Sequence, residues 1–252
     1  MQIYLAAAPE LLARAHSLSV PVAHAAYRID EAGHLTAREL PAMLRGGLLL
    51  LCGGETLPSF RPEILCREMV NECQRREFGG AVLDIDGPPS SLSVRLMRLL
   101  EEELGRRQKR LYVPETWGDH ARTATVLIGT AVSGGTLRQR LEEAKGRFGK
   151  RPLALDCQRL VMDFLLPSPN GEGSPLTIDQ LARLRQGHNV YFSPDLCARY
   201  FTYRTSSRTH FVLFDDADTL RRKLALGEEL GIGTAFFMLP EVDDLAGELF
   251  GR

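Results

Sequence analysis

Residues 46–52 read GGLLLLC, an apolar run with no polar residue inside it. A strand points successive side chains to opposite faces, so it is apolar at every position only when both faces are covered. The chain punctuates such runs with helical patterns. Strands are expected at Gln2–Ala7, Val20–Ile29, Gly47–Cys52, Ala81–Asp86, Arg110–Pro114, Thr125–Thr130, Leu153–Leu165, Asn189–Phe192, His210–Phe214 and Ala235–Leu239. Between most of them lie amphipathic helices. In Pro62–Glu77, Leu65, Cys66, Met69, Val70 and Cys73 form one face behind a first-turn proline. Near the C-terminus Leu220, Leu224 and Gly227 do the same, with Asp216 or Asp218 placed to cap and Gly231 to end the helix.

Repeated βα units give a doubly wound sheet or an eightfold barrel. The 252-residue length and the number of units favour a single (β/α)8 TIM barrel spanning residues 1–252. Two stretches break the rhythm. Pro167–Pro175 (PSPNGEGSP) is turn-rich, and Asn189–Phe214 reads as strands without a helix between them. A small antiparallel insertion at about residues 189–214, before the last barrel strand, is expected from this. No internal repeat or linker divides the chain.

Charge excludes some partners. Lys and Arg number 31 against 32 Asp and Glu, so no global field favours nucleic acid or an anionic membrane. The five cysteines form no CxxC pair, and Cys66 and Cys73 sit two turns apart on one helix, which reads as reduced core thiols. No apolar stretch is long enough to span a bilayer, and the N-terminal residues lack a signal-peptide pattern. A cytoplasmic protein is expected.

The stretch FGGAVLDIDG (residues 78–87) ends an apolar strand with two acids. Alternation puts Val82, Asp84 and Asp86 on one side, which in a barrel is the interior nearest the mouth. Two carboxylates so placed resist ionising together, and one pKa should rise. Asp86 also reads as a cap or turn residue.

Phe78 to Asp86 resembles the fourth-strand signature of family 18 glycoside hydrolases, FDGxDxDxE. Asp84 falls on its third acidic position, Asp86 on the catalytic Glu, and Gly79 and Val82 on the first two. Residues 200–239 are similar to the closing segment of the spore-cortex and germination-type members, H-x-V-x-[FY]-[DE]-D-x-x-S-[IL]-x-x-K. His210, Val212, Phe214, Asp215, Asp216, Leu220 and Lys223 match it in order.

The resemblance implies retaining hydrolysis in which the substrate's own 2-acetamido group is the nucleophile. Asp86 would protonate the leaving oxygen and Asp84 orient the acetamido group. The implied partner is an N-acetylated oligosaccharide or peptidoglycan fragment, with no cofactor or metal. The departures point to a degenerate site. Asp86 is one methylene shorter than Glu, the family's last-strand Trp aligns with Met238, and its sixth-strand Tyr has no clear counterpart, Phe164 being the nearest. Two functions stay open: a divergent hydrolase, or a glycan-binding barrel that has lost the chemistry.

Other residues are candidates for the same mouth. Glu115 and Trp117, in VPETWGDH, follow the fifth strand, as replacement carboxylate and sugar platform or as loop acid and core lid. Asp163, in VMDFLLP, is a candidate inward carboxylate. Tyr200 and Tyr203, among Arg199, Arg204 and Arg208, would line a glycan groove or simply alternate in a sheet. An oxygen-rich metal site from Asp84, Asp86, Asp163 and Glu115 matches no compact loop motif and is not expected.

Overall fold

Eight of the apolar runs close into a parallel barrel: β1 (Gln2–Ala7), β2 (Val22–Ile29), β3 (Leu48–Gly53), β4 (Gly80–Ile85), β5 (Arg110–Pro114), β6 (Thr125–Gly129), β7 (Leu153–Asp156) and β8 (Thr234–Met238). The computed structural model describes residues 1–54, 56–167, 171–206 and 208–251. Closure is made by β1, which pairs with β8 through Ala6 and Met238 and with β2 through Leu5 and Val22.

Both faces of the leucine run are used. Leu48 and Leu50 join the interior cluster, while Leu49 and Leu51 join the outer core against the helices. The interior is filled by three rings set against small residues. Tyr4 stacks on Phe236 at 5.2 Å, Tyr112 meets Phe236 edge-on at 4.9 Å, and Ala6, Ala23 and Ala154 leave them room. The barrel is therefore solid below its mouth.

Helices α1 (Leu12–Ser17), α2 (Pro62–Arg75), α3 (Ser91–Gly105), α4 (Leu137–Phe148), α5 (Ile178–Arg185) and α6 (Ala217–Glu229) follow the expected periodicity where it was strong. The predicted face of α2 is buried from Leu65 to Cys73. Asp216 caps α6 in a reciprocal capping box with Thr219, and Gly231 follows its end at φ +78°. All five cysteines are free thiols, four of them buried. Among the described residues no helix is long and apolar enough to cross a membrane.

The expected strand Leu153–Leu165 is two strands. β7 stops at Asp156, and Val161–Leu166 enters a separate five-stranded antiparallel sheet with Gly173–Pro175, Thr209–Phe214, Ala198–Arg204 and Tyr191–Ser193. The sheet therefore begins about 28 residues before the expected 189 and takes in α5. Nothing local breaks the run LALDCQRLVMDF, which has neither Gly nor Pro. Distant groups turn it: Arg159 N–H donates to Glu241 at 3.0 Å, and Leu160 N–H donates to Asp215 at 2.9 Å. Within PSPNGEGSP, residues 168–170 lie outside the described residues.

The closing motif proves to be this junction. Asp215 and Lys223 form a fully buried ion pair of 2.7 Å, and Asp215 also accepts from Thr219 Oγ1 at 2.8 Å and from Leu160 N–H. A carboxylate with a cation and two further donors is satisfied without water. It ties the end of the inserted sheet to its beginning and to α6.

Candidate active site at the barrel mouth

Strand alternation carries Asp84 to the mouth. Val82 sits in the interior cluster one pleat below it, and Cys52 of β3 lies beside it in register. The carboxylate opens into a cavity of 370 Å³ lined by Arg28, Cys52, Gly53, Leu57, Asp84 and Asp86 among others. The Asp84 side chain is exposed through that opening, while the residues on either side of it are buried. Burial raises its pKa, and the neighbouring Asp86 charge raises it further. The same burial, with Asp84's charge, pushes the Cys52 thiol up to about 11, so it stays protonated at neutral pH.

Asp86 stands just past the strand end, its N–H donating to Gly53 O at 3.2 Å. The following Gly87 turns at φ +73°, where a side chain would be strained. Its carbonyl accepts from Trp117 Nε1 at 3.1 Å and from Thr116 Oγ1 at 3.2 Å. The loop that holds Asp86 is thus pinned from β5's end. Asp86 also borders a second cavity of 380 Å³ that shares Thr56, Leu57 and Pro58 with the first and runs out to Ser90 and Leu92. Together they form a groove with Asp86 on the ridge.

Met238 ends β8 and packs against the interior cluster. Two open readings are decided and two expectations are corrected. Glu115 is held in an ion pair by Arg140 of α4, Nη1 to Oε1 at 3.0 Å, with Arg147 at 3.6 Å, and points to the helical layer. Trp117 is 1% exposed and packs in the outer core at the edge of the second cavity, which is the core-lid reading and leaves it no open face for a sugar. Asp163 lies in the inserted sheet, accepting from Tyr203 Oη at 2.8 Å and paired with His210 Nδ1 at 2.9 Å. Burial and that carboxylate push the Tyr203 hydroxyl up to about 12. Phe164 is in the same sheet, buried, and not in the sixth barrel strand.

The sheet's two faces separate the tyrosines. Tyr203 packs with Leu181 and Leu184 of α5, whereas Tyr200 packs with Phe164, Phe211 and Ala131, which lies just beyond β6. Only Tyr200 is on the barrel side.

One mouth residue was not anticipated. Asp156 ends β7 as Asp84 ends β4, the last polar residue of an apolar strand, in LALD as in AVLD. Burial first, then Asp84's charge, then Glu241's push its pKa up to about 6, against a hydrogen bond from Gln158 at 2.8 Å. The segment Leu153–Leu165 read as one strand concealed it, because only a strand end places an Asp at the mouth.

No family model and no curated protein matches the sequence. Solved structures do match. The C-terminal domain of a putative chitinase from Desulfitobacterium hafniense aligns over 98% of this chain and 96% of its own at 17% identity and a TM-score of 0.69. The fold is that of the family 18 glycoside hydrolases. The spore cortex-lytic enzyme SleL of Bacillus megaterium aligns over 99% of this chain and 74% of its own, at 16% identity and a TM-score of 0.64. A family 18 chitinase from Cycas revoluta, solved with (GlcNAc)3, aligns over 100% and 99% at 14% identity and 0.63. At identities this low the likeness is one of fold.

Proposed function

We propose that this family-18-like barrel is a glycoside hydrolase for N-acetylated glycans of the chitin or peptidoglycan type, working by acetamido-assisted retention. The observation that carries the reading is Asp84, inward at the end of β4 in an open cavity with a second carboxylate two residues on. Asp84 accepts the acetamido N–H of a bound sugar and turns its carbonyl oxygen toward C1. A proton from Asp86 passes to the glycosidic oxygen, the C1–O bond breaks, and the acetamido oxygen closes on C1. Water then opens that ring and returns a proton to Asp86.

Asp86 sets the limit on this chemistry. It is one methylene short of a glutamate on a loop pinned through Gly87, and a misplacement of about 1 Å costs about 100-fold. The same shortness favours a second reading, a glycan-binding barrel without turnover.

The test is turnover and calorimetric binding with chitooligosaccharides and peptidoglycan fragments. Hydrolysis that rises on Asp86→Glu and is abolished by Asp84→Ala supports the enzyme. Saturable binding with no turnover in either Asp86 form leaves the binder, and absence of both ends the glycan reading.

A further inference from the structure

Asp156 is absent from the roles just assigned, although it shares the mouth with Asp84. The two strands that separate them, β5 and β6, end in Pro114 and Gly129, neither of which offers a polar side chain. Leu127 belongs to the interior cluster, so Gly129, two residues on, is also inward. A Cβ built on Gly129 would meet nothing within 4 Å, and Gly129 is the register partner of Asp156. The mouth therefore has open space beside Asp156, on the side where β5 and β6 separate it from Asp84.

The hydrogen bonds around Asp156 define which oxygen is available. Gln158 Nε2 donates to Oδ2 at 2.8 Å, and no hydrogen bond of the described residues uses Oδ1. The charged and titratable groups that act on the carboxyl are Asp84 from β4 and Glu241 from the short helix after β8 (Leu239–Val242); Cys157, next in the chain, faces the Asp156 charge in turn. No cation is among them. Arg28 lines the cavity on the Asp84 side, and Arg159 is held by Glu241 O and Asp244. A carboxyl in this setting keeps its proton on Oδ1 into the pH range where an ordinary aspartate has lost it, and a protonated carboxyl is a hydrogen-bond donor.

An acetamido group is planar and presents its N–H and its C=O on opposite edges. It asks for an acceptor on one side and a donor on the other. We propose that Asp84 and Asp156 form a clamp for this group, Asp84 accepting the amide N–H and Asp156 donating its carboxyl O–H to the amide oxygen across the Gly129 gap. Asp156 is then a specificity-determining residue. It selects sugars that carry an N-acetyl group over those with a free hydroxyl or amine, and its donor role is lost when it ionises.

The inference rests on the glycan reading, and the experiment separates the two. Calorimetric titration with N,N′,N″-triacetylchitotriose from about pH 5 to pH 8 should show wild-type affinity falling by about tenfold per unit above about pH 6, the slope of one required proton. Asp156→Asn keeps an N–H donor and cannot titrate, so its affinity should be nearly flat over that range. Asp156→Ala should bind at least about tenfold more weakly at pH 5. A wild type that binds with no slope, or a slope that persists in Asp156→Asn, overturns the clamp alone. Failure of the wild type to bind the trisaccharide at any pH removes the glycan reading and the clamp with it. The isosteric Asn variant carries the test if the Ala variant does not fold.

Discussion

The barrel mouth and the inserted sheet are both rich in aspartate, and they treat it in opposite ways. In the sheet and its junction three acids have partners: Asp163 has Tyr203 and His210, Asp215 has Lys223, and Asp216 has Arg199 at 3.0 Å. At the mouth Asp84 and Asp156 face each other's charge, and both are pushed upward by burial. Paired acids hold an architecture together. Acids left facing one another cost stability at neutral pH and persist where they serve a ligand. The segment that resembles the family's closing pattern is thus scaffold, and the fainter resemblance at β4 falls on the candidate site.

The largest break in that comparison comes from unpairing a scaffold acid. Lys223→Met should leave Asp215 as an uncompensated buried charge and lose about 3–5 kcal/mol of stability by denaturant unfolding. Asp84→Asn, which removes a charge that forms no ion pair among the described residues, should not destabilise the fold. A loss at Asp84 as large as that at Lys223 would erase the distinction between the two regions.

The next effect is a pH dependence with a definite sign. Asp156 holds its proton more tightly folded, to about 6, than at the ordinary value of 3.8. The unfolded chain ionises first, so stability is retained below about pH 4 and falls as pH rises toward 6. Asp156→Asn should flatten this limb and gain on the order of 1–2 kcal/mol at pH 7. Unchanged pH dependence in the variant would show that the carboxyl is not desolvated.

Trp117→Phe removes the donor to Gly87 O and should lose about 1 kcal/mol, and in the wild type the Trp117 emission should stay constant through a glycan titration that calorimetry registers. A saturable emission change would return Trp117 to the mouth. The smallest effect is expected at Glu115. Glu115→Gln breaks partly exposed ion pairs with Arg140 and Arg147 and should alter stability by less than about 1 kcal/mol with no change in glycan binding.

What was legible from the chain alone follows from backbone geometry. Alternation in GGLLLLC and AVLDID depends only on the two-residue repeat of a strand, so the double-sided burial of Leu48–Leu51 and the inward course of Asp84 could be read without a fold. The face of α2 and the Gly231 stop are equally local, and so is the α6 cap, which the sequence narrowed to Asp216 or Asp218. Tertiary structure alone decided where LALDCQRLVMDF breaks, because the donors and acceptors that turn it come from Asp215 and Glu241, more than fifty residues away. It also decided the fate of each acid. Glu115 and Asp84 both come at the ends of barrel strands in the sequence, yet one is ion-paired with two arginines and the other opens into a cavity beside a second carboxylate and a thiol. A side chain's direction is set by its own backbone, whereas its charge state and its use are set by whatever the fold brings opposite it.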